Sequence, residues 1–320
     1  MESPTRIWLL SPVYHDSAAY RILHARINDC LDADADLAGL ERRFIVVDDS
    51  AGADLGLRLA AAELGFTLVT PPFNLGHQRA LVYGLRALAG EIDEADLVVT
   101  LDADGEDRPE DIPRLVMPVL QQGAERSVAL ALRAKRREVL SFRAFYIVYR
   151  VVFRMLTGKV VRSGNFAAYR GWLSKRVLGH HYFDLCYSSA LTSLDLATVY
   201  VPCDRGARYA GQSRMGLSRL MLHGLSMLMP FTDRIIIRAL IGFASTIALC
   251  VVAAVAVVAV KLFTDMAIPG WGTSTLLGLA VLSVLASGNL VVLLVVFAQA
   301  RGASLGGIEI GVHDSARSAP

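Results

Sequence analysis

"LVVTLDADGEDRPED" (Leu97–Asp111) starts as a continuous apolar run and then breaks into a burst of carboxylates. Its opening has no polar alternation, which is the pattern of a strand buried on both faces. Asp102 and Asp104 stand at i and i+2 on an extended or just-ending strand, so both side chains leave on the same side. Carboxylates that close repel each other unless a cation lies between them. Hard oxygens of this kind suit Mg²⁺ or Mn²⁺, and Mg²⁺ commonly shares its shell with substrate phosphates. Glu106 supplies a further oxygen in this reading. Glu110 and Asp111 read more simply, as acids favoured by the N-terminus of a helix with Pro109 in its first turn.

The flanking sequence repeats the theme. "RIWLLSPV" (Arg6–Val13), "RRFIVVDDS" (Arg42–Ser50), "FTLVTPP" (Phe66–Pro72) and "SVALALRA" (Ser127–Ala134) read as strands, the second also ending in acids, Asp48 and Asp49. Helical spacing fills the gaps: residues 17–31, "DLGLRLAAAELG" stopped by Gly65, "GHQRALVYGLRALAG" and "PEDIPRLVMPVLQQG". Apolar strands alternating with helices predict an α/β domain with a mostly parallel, Rossmann-like sheet covered on both faces. Ligands gather at the carboxyl ends of such strands, where both acid clusters fall.

The chain has 320 residues, 54% of them hydrophobic and 19% charged, with a mean hydropathy of +0.44. That mixture suits a soluble domain joined to a membrane part. Ala239–Val260 and Ser274–Ala300 hold no charge, and each exceeds the roughly 20 residues that cross about 30 Å of hydrocarbon. Arg234 and Arg238 precede the first run, Arg301 follows the second, and only Lys261 and Asp265 lie between. The positive-inside rule therefore places both ends, and the N-terminal domain, in the cytoplasm. No signal peptide is expected, since the N-terminus opens acidic and "IWLL" is too short an apolar core. A net charge of +2 provides no broad basic field for nucleic acid. Cys30, Cys186, Cys203 and Cys250 show no metal-binding or redox spacing. The expected boundaries are a catalytic domain over 1–214, a juxtamembrane amphipathic helix over 215–234, two membrane helices over 235–301 and a flexible tail over 302–320.

"LRAKRREVLSFRAFYIVYRVVFRMLTGK" (Leu132–Lys159) mixes Arg133, Lys135, Arg136, Arg137, Arg143, Arg150 and Arg154 with Phe142, Phe145, Tyr146, Tyr149 and Phe153. A helix this aromatic and basic suits a membrane surface, with its arginines placed to meet an anionic lipid headgroup. "SRMGLSRLMLHGLSMLMPFTDR" is a second amphipathic candidate leading into the first apolar run.

In order, "SPVY", "VVDDS", "NLGHQRALVYGL", "LDADGEDRPED", "GNFAAYR" and "DRGARYAGQSRMG", followed by two spans, resemble the family 2 glycosyltransferases of GT-A fold, and among them the polyprenyl-phosphate glycosyltransferases. The resemblance covers nearly the whole chain. It implies that Pro12, Val13, Tyr14, Asp48 and Asp49 hold the nucleotide of a UDP- or GDP-linked sugar. It gives Asp102, Asp104 and Glu106 to a Mg²⁺ or Mn²⁺ ion and the donor diphosphate, with Asn74, Gly76 and the following helix start lining the same pocket. His77 reads as a residue of that helix start. Arg205, Arg208, Ser213 and Arg214 are implied to bear on phosphates, here those of a polyprenyl-phosphate acceptor, and Arg133 and Arg136 to assist transfer. Related enzymes can assemble through their spans, which allows a homo-oligomer.

There are departures. His15 and Asp16 replace a common Asn-Glu pair, Ser50 stands where glycine is usual, and Asn165 stands where many relatives carry an acid proposed as catalytic base. An amide takes no proton at neutral pH, which would disable a transferase whose acceptor is an alcohol. A phosphate monoester, with a second pKa near about 6, is already mostly dianionic. Asn165 thus fits a lipid-phosphate acceptor as a hydrogen-bonding positioner, whereas a hydroxyl acceptor would require Asp104, Asp107 or Asp184 as base. Two other readings compete. "LDADGE" could be the nucleophile motif of a haloacid-dehalogenase-type phosphohydrolase, although the acid pair then comes too early in the chain. The altered loops could instead mark a non-catalytic, nucleotide-sugar-binding membrane protein.

Overall fold

The structure, a computed structural model, describes residues 2–133, 140–160, 163–209, 217–264 and 269–302. It divides into two compact units, Met1–Pro230 and Phe231–Pro320.

The first unit is built on a seven-stranded sheet: β1 (Arg6–Val13), β2 (Glu41–Asp48), β3 (Thr67–Val69), β4 (Leu97–Thr100), β5 (Val128–Arg133), β6 (Ser163–Arg170) and β7 (Thr198–Cys203). Their order is β3-β2-β1-β4-β6-β5-β7. The first four are mutually parallel, as expected, and β5 and β7 are parallel to each other. Strand β6 runs antiparallel between β4 and β5. This makes the sheet mixed, and it has a consequence for the site. Ala167 pairs with Thr100, so the start of β6, with Asn165, lies at the edge where β4 ends.

Side chains alternate across the sheet and fill two cores. One face holds Ile7, Leu9, Val46, Leu97 and Val99 against α1 (Ser17–Asp32) and α4 (Ile112–Leu120) through Leu23, Ile27, Leu115 and Val119. The other holds Trp8, Leu10, Ile45 and Val98 against α3 (His77–Ala87) and α8 (Tyr187–Ser193) through Leu81, Leu85, Tyr187 and Ala190. Both faces are dry, so the strands read as unbroken apolar runs. Each fully buried large aliphatic contributes about 1.5–3 kcal/mol. Helix α2 (Leu55–Leu64) ends as expected at Gly65, whose φ of 73° is the left-handed cap conformation. Gly84 lets α3 approach the sheet: a Cβ there would stand 2.5 Å from Val47 Cγ2 and 2.9 Å from Leu10 Cδ1. That close seat fixes the first turn of α3 at the carboxyl edge.

Helix α5 (Leu140–Thr157) carries Ile147, Val151 and Met155 at four-residue spacing, all half or more exposed, while Phe153 is buried. Two short helices, α6 (Trp172–Arg176) and α7 (Tyr182–Leu185), precede α8. Tyr149 Oη donates to the Gly224 carbonyl at 3.1 Å, which ties α5 to α9 (Leu217–Leu228). Helix α9 exposes Met221, Leu222 and Leu225.

The second unit consists of α10 (Thr232–Phe263) and α11 (Trp271–Gly302), which pack against each other. Both helices are long and apolar enough to cross a membrane. Each has 32 residues, about 48 Å at 1.5 Å per residue, against a hydrocarbon layer of about 30 Å.

Candidate active site

The site forms where β1, β2 and β4 end together. Asp49 N–H donates to the Val13 carbonyl at 2.9 Å, and Leu101 N–H donates to the Leu10 carbonyl at 3.1 Å, so the two acid clusters share one rim.

Asp48 is buried. Its Oδ1 accepts from Ser50 N–H at 3.1 Å and from the Ser50 hydroxyl. Its Oδ2 is buried and has no hydrogen-bond partner among the described residues. Asp49 accepts from Leu75 N–H at 2.7 Å and from Asn74 Nδ2 at 3.1 Å. Burial pushes the Asp49 carboxyl up, and the N–H groups of Leu75 and Gly76 offset part of that. Asn74 and Gly76 therefore serve first to fasten Asp49. Pro12 is buried in β1, and Tyr14 is half exposed at the rim, edge-on to His15 with ring centroids 4.7 Å apart.

The DxD loop is held from three sides. Asp102 N–H donates to Asp107 Oδ2 at 3.0 Å, and Glu106 N–H to Asp104 Oδ1 at 3.0 Å. Gly105, between them, has φ +89°, and an added Cβ would meet the Tyr209 ring at 2.8 Å. Asp102 Oδ1 meets His77 Nε2 at 2.8 Å and Asn165 Nδ2 at 3.2 Å. Burial alone would lower the pKa of His77, yet the Asp102 carboxylate outweighs it, with Asp107 and Asp104 adding, and holds the imidazole above its ordinary value. Burial, followed by the negative charge of Asp102, raises Asp104. Position 77 is thus more than a helix-start residue.

Residues 204–209 close over this loop. Gly206 N–H donates to the Glu106 carbonyl at 2.9 Å, Tyr209 N–H to the Asp104 carbonyl at 2.9 Å, and Asp107 and Arg205 form a β-bridge. Arg208 places NH2 2.8 Å from Asp104 Oδ2 and Nε 2.9 Å from Glu106 Oε1, and Arg205 also pairs with Glu106. Burial works against a charged Glu106, but the two arginines win and hold it below its usual range.

The residues fit a divalent cation at two positions. Asp102 and Asp104 are neighbouring hard carboxylates, one already reluctant to ionise beside the other, which is the strain a cation relieves. Among the described residues no trio of His, Cys, Asp or Glu forms a ready cage. The protein would supply the two aspartates, leaving the remaining positions to diphosphate and water, as Mg²⁺ prefers. Glu106, expected as a further metal oxygen, is instead engaged by Arg205 and Arg208, the two arginines expected at the acceptor phosphate.

Other expected residues fall elsewhere. Arg133 ends β5, opposite Cys203 of β7. Arg136, Ser213 and Arg214 lie outside the described residues. Asp184 sits on α7 and pairs with Arg86 at 2.5 Å, apart from the DxD loop. Sequence reasoning missed Gln78, whose Nε2 donates to Asn165 Oδ1 and whose Oε1 accepts from Ser188 N–H at 3.0 Å. A polar residue in a first helical turn carries no distinguishing signal of such a role.

The sequence model of glycosyl transferase family 2 matches residues 11–170. Among curated proteins, the undecaprenyl-phosphate 4-deoxy-4-formamido-L-arabinose transferase of Edwardsiella ictaluri is 29% identical over 248 residues, covering 74% of this chain and 71% of that one. Its counterpart in Yersinia enterocolitica is 26% identical, covering 69% of this chain and 65% of that one. Among solved structures, glucosyl-3-phosphoglycerate synthase from Mycobacterium tuberculosis, crystallised with Mg²⁺ and UDP, aligns with a TM-score of 0.51 at 19% identity, over 72% of this chain and 79% of that one. The last likeness is one of fold: an α/β, GT-A-like sheet, here followed by two apolar helices. With that sheet, the two acid-bearing strand ends and a family match spanning half its length, this chain belongs to glycosyl transferase family 2.

Proposed function

We propose that the chain is a membrane-anchored, inverting transferase that moves a sugar from a UDP- or GDP-linked donor to a polyprenyl phosphate at the cytoplasmic membrane face. The observation that carries this reading is the Asn165 amide 3.2 Å from Asp102, a neutral group where a general base would stand. Of the three carboxylates that a hydroxyl acceptor would call on, Asp104 is paired with Arg208, and the other two are poorly disposed. Asp107 is 2% exposed and turned to the Asp102 N–H, and Asp184 is paired with Arg86. The curated relatives named above are undecaprenyl-phosphate sugar transferases, which supports a lipid-phosphate acceptor. The two apolar helices and the arginines flanking them support the membrane setting and its orientation.

In this reading Asp48 and Asp49, with Pro12 and Tyr14, take the nucleoside, and Asp102 and Asp104 hold Mg²⁺ or Mn²⁺. The ion supplies charge neutralisation for the departing diphosphate. No side chain caps α3, which leaves the N–H groups at the start of its first turn to favour an anion. A phosphate oxygen of the acceptor bonds to the sugar C1 as the bond from C1 to the diphosphate oxygen breaks. The nucleoside diphosphate leaves, and no proton has to move. Arg205 and Arg208 supply positive charge on the acceptor side. The exposed apolar stripes of α5 and α9 suit a bilayer surface.

The test uses the detergent-solubilised full chain with Mn²⁺, UDP- and GDP-sugars, and either undecaprenyl phosphate or undecaprenol. Transfer to the phosphate and none to the alcohol is expected. Transfer to the alcohol, or to neither, contradicts the reading.

A further inference from the structure

Four groups form a chain of hydrogen bonds beneath the DxD loop. Ser188 N–H donates to Gln78 Oε1 at 3.0 Å, Gln78 Nε2 donates to Asn165 Oδ1, and Asn165 Nδ2 donates to Asp102 Oδ1 at 3.2 Å. Cys186 Sγ adds a second donor to Gln78 Oε1 at 3.4 Å. Ser188, Cys186 and Asn165 are all buried.

A side-chain amide can present either its oxygen or its nitrogen to a neighbour, so Asn165 alone does not dictate which end meets Asp102. A backbone N–H has no such freedom. Because Ser188 N–H only donates, Gln78 must turn its oxygen toward α8 and its nitrogen toward Asn165. Asn165 must then turn its nitrogen toward Asp102. Were the direction reversed, two oxygens would face each other at Asp102, a contact that costs the desolvation of both. Thr100 Oγ1 fixes the strand beneath by donating to the Asn165 carbonyl at 2.6 Å.

We infer that Gln78 is a positioning residue which, through the Asn165 amide, sets the rotation of the Asp102 carboxylate at the donor site. With Asn165 Nδ2 and His77 Nε2 both on Oδ1, that carboxylate is held in one orientation before any ligand arrives. This deepens the reading above and rests on it, since Asp102 matters in this way only if it binds the donor's cation.

The test is a double-mutant cycle on the full chain in detergent. Mn²⁺ binding in the presence of UDP or GDP is read from the loss of the free-ion EPR signal. Gln78→Met keeps the length and removes all three of its side-chain hydrogen bonds. It is expected to weaken Mn²⁺ binding roughly fivefold, the size of one lost neutral hydrogen bond. In an Asn165→Ala background the same change is expected to cost less than about twofold, because coupled residues are non-additive. A merely structural role for Gln78 would cost the same factor in both backgrounds. That result, or no weakening in the parent chain, overturns the inference. Gln78→Leu takes the place of the methionine variant if the latter loses its cooperative thermal transition. A parent chain that fails to bind Mn²⁺ in the presence of either UDP or GDP overturns the reading of the donor site itself, and the inference with it.

Discussion

Arg208 holds its guanidinium 2.8 Å from Asp104, so in this structure an internal cation already lies on one of the two carboxylates proposed to take a metal. The pair links the strap at 204–209 to the DxD loop. The protein's own charge and the incoming ion therefore compete for one oxygen.

Replacing Arg208 with glutamine removes that competitor. One unit charge at contact distance is worth about 1 kcal/mol in water-like surroundings, or roughly fivefold in affinity. Arg208→Gln is therefore expected to bind Mn²⁺ alone at least about fivefold more tightly, measured by EPR without nucleotide. Transfer to the lipid phosphate should fall in the same variant. Unchanged Mn²⁺ affinity would show that Arg208 does not guard Asp104.

Asp104 carries a stability cost in the metal-free chain. Its folded-state pKa lies above the ordinary carboxylate value, chiefly through burial and then through Asp102. A carboxyl shifted in that direction penalises the fold above its folded pKa, and the penalty vanishes below its unfolded value. Asp104→Asn is expected to raise the thermal midpoint at neutral pH by roughly 1–3 °C in EDTA and to abolish transfer. A lowered midpoint would contradict the electrostatic account of this residue.

His77 has the opposite linkage. Its folded pKa is raised, so its contribution is fully present below the ordinary imidazole value and is lost as pH rises through the folded value. His77→Asn should therefore destabilise the metal-free chain most below the ordinary imidazole pKa, and the gap to the parent should shrink as pH rises above it. A gap independent of pH would separate His77 from Asp102.

In the proposed reading the exposed stripe Ile147, Val151 and Met155 on α5 meets lipid. Val151→Glu forfeits about 1.5 kcal/mol or more of apolar burial, near tenfold. KM for undecaprenyl phosphate in vesicles should rise by that order while Mn²⁺–nucleotide binding stays unchanged. An unaltered KM would detach α5 from the acceptor side.

Much of this architecture could be read from the chain. Runs such as Leu97–Thr100 and Ile45–Val47 are buried on both faces, and the acids that follow them mark the rim. The direction of β6 could not be read. Asn165 and Ala167 are buried whichever way the strand runs, and only its pairing with Thr100 turns it antiparallel and brings Asn165 beside Asp102. The role of Gln78, and the pairing of Arg208 with Glu106 in place of a phosphate, were silent for a related reason. Their partners lie 87 and 102 residues away in sequence, and a polar residue at a helix start or in a loop looks solvated until the chain is folded.

The central claim is that Asp102 and Asp104 hold a divalent ion on the donor's diphosphate, and pulsed EPR on Mn²⁺ with bound UDP or GDP tests it most directly. The account predicts a protein-bound ion coupled to nucleotide phosphorus in the parent chain, and loss of that bound ion in Asp102→Asn and in Asp104→Asn while both variants remain folded. The same bound, phosphorus-coupled ion persisting in both variants would contradict it.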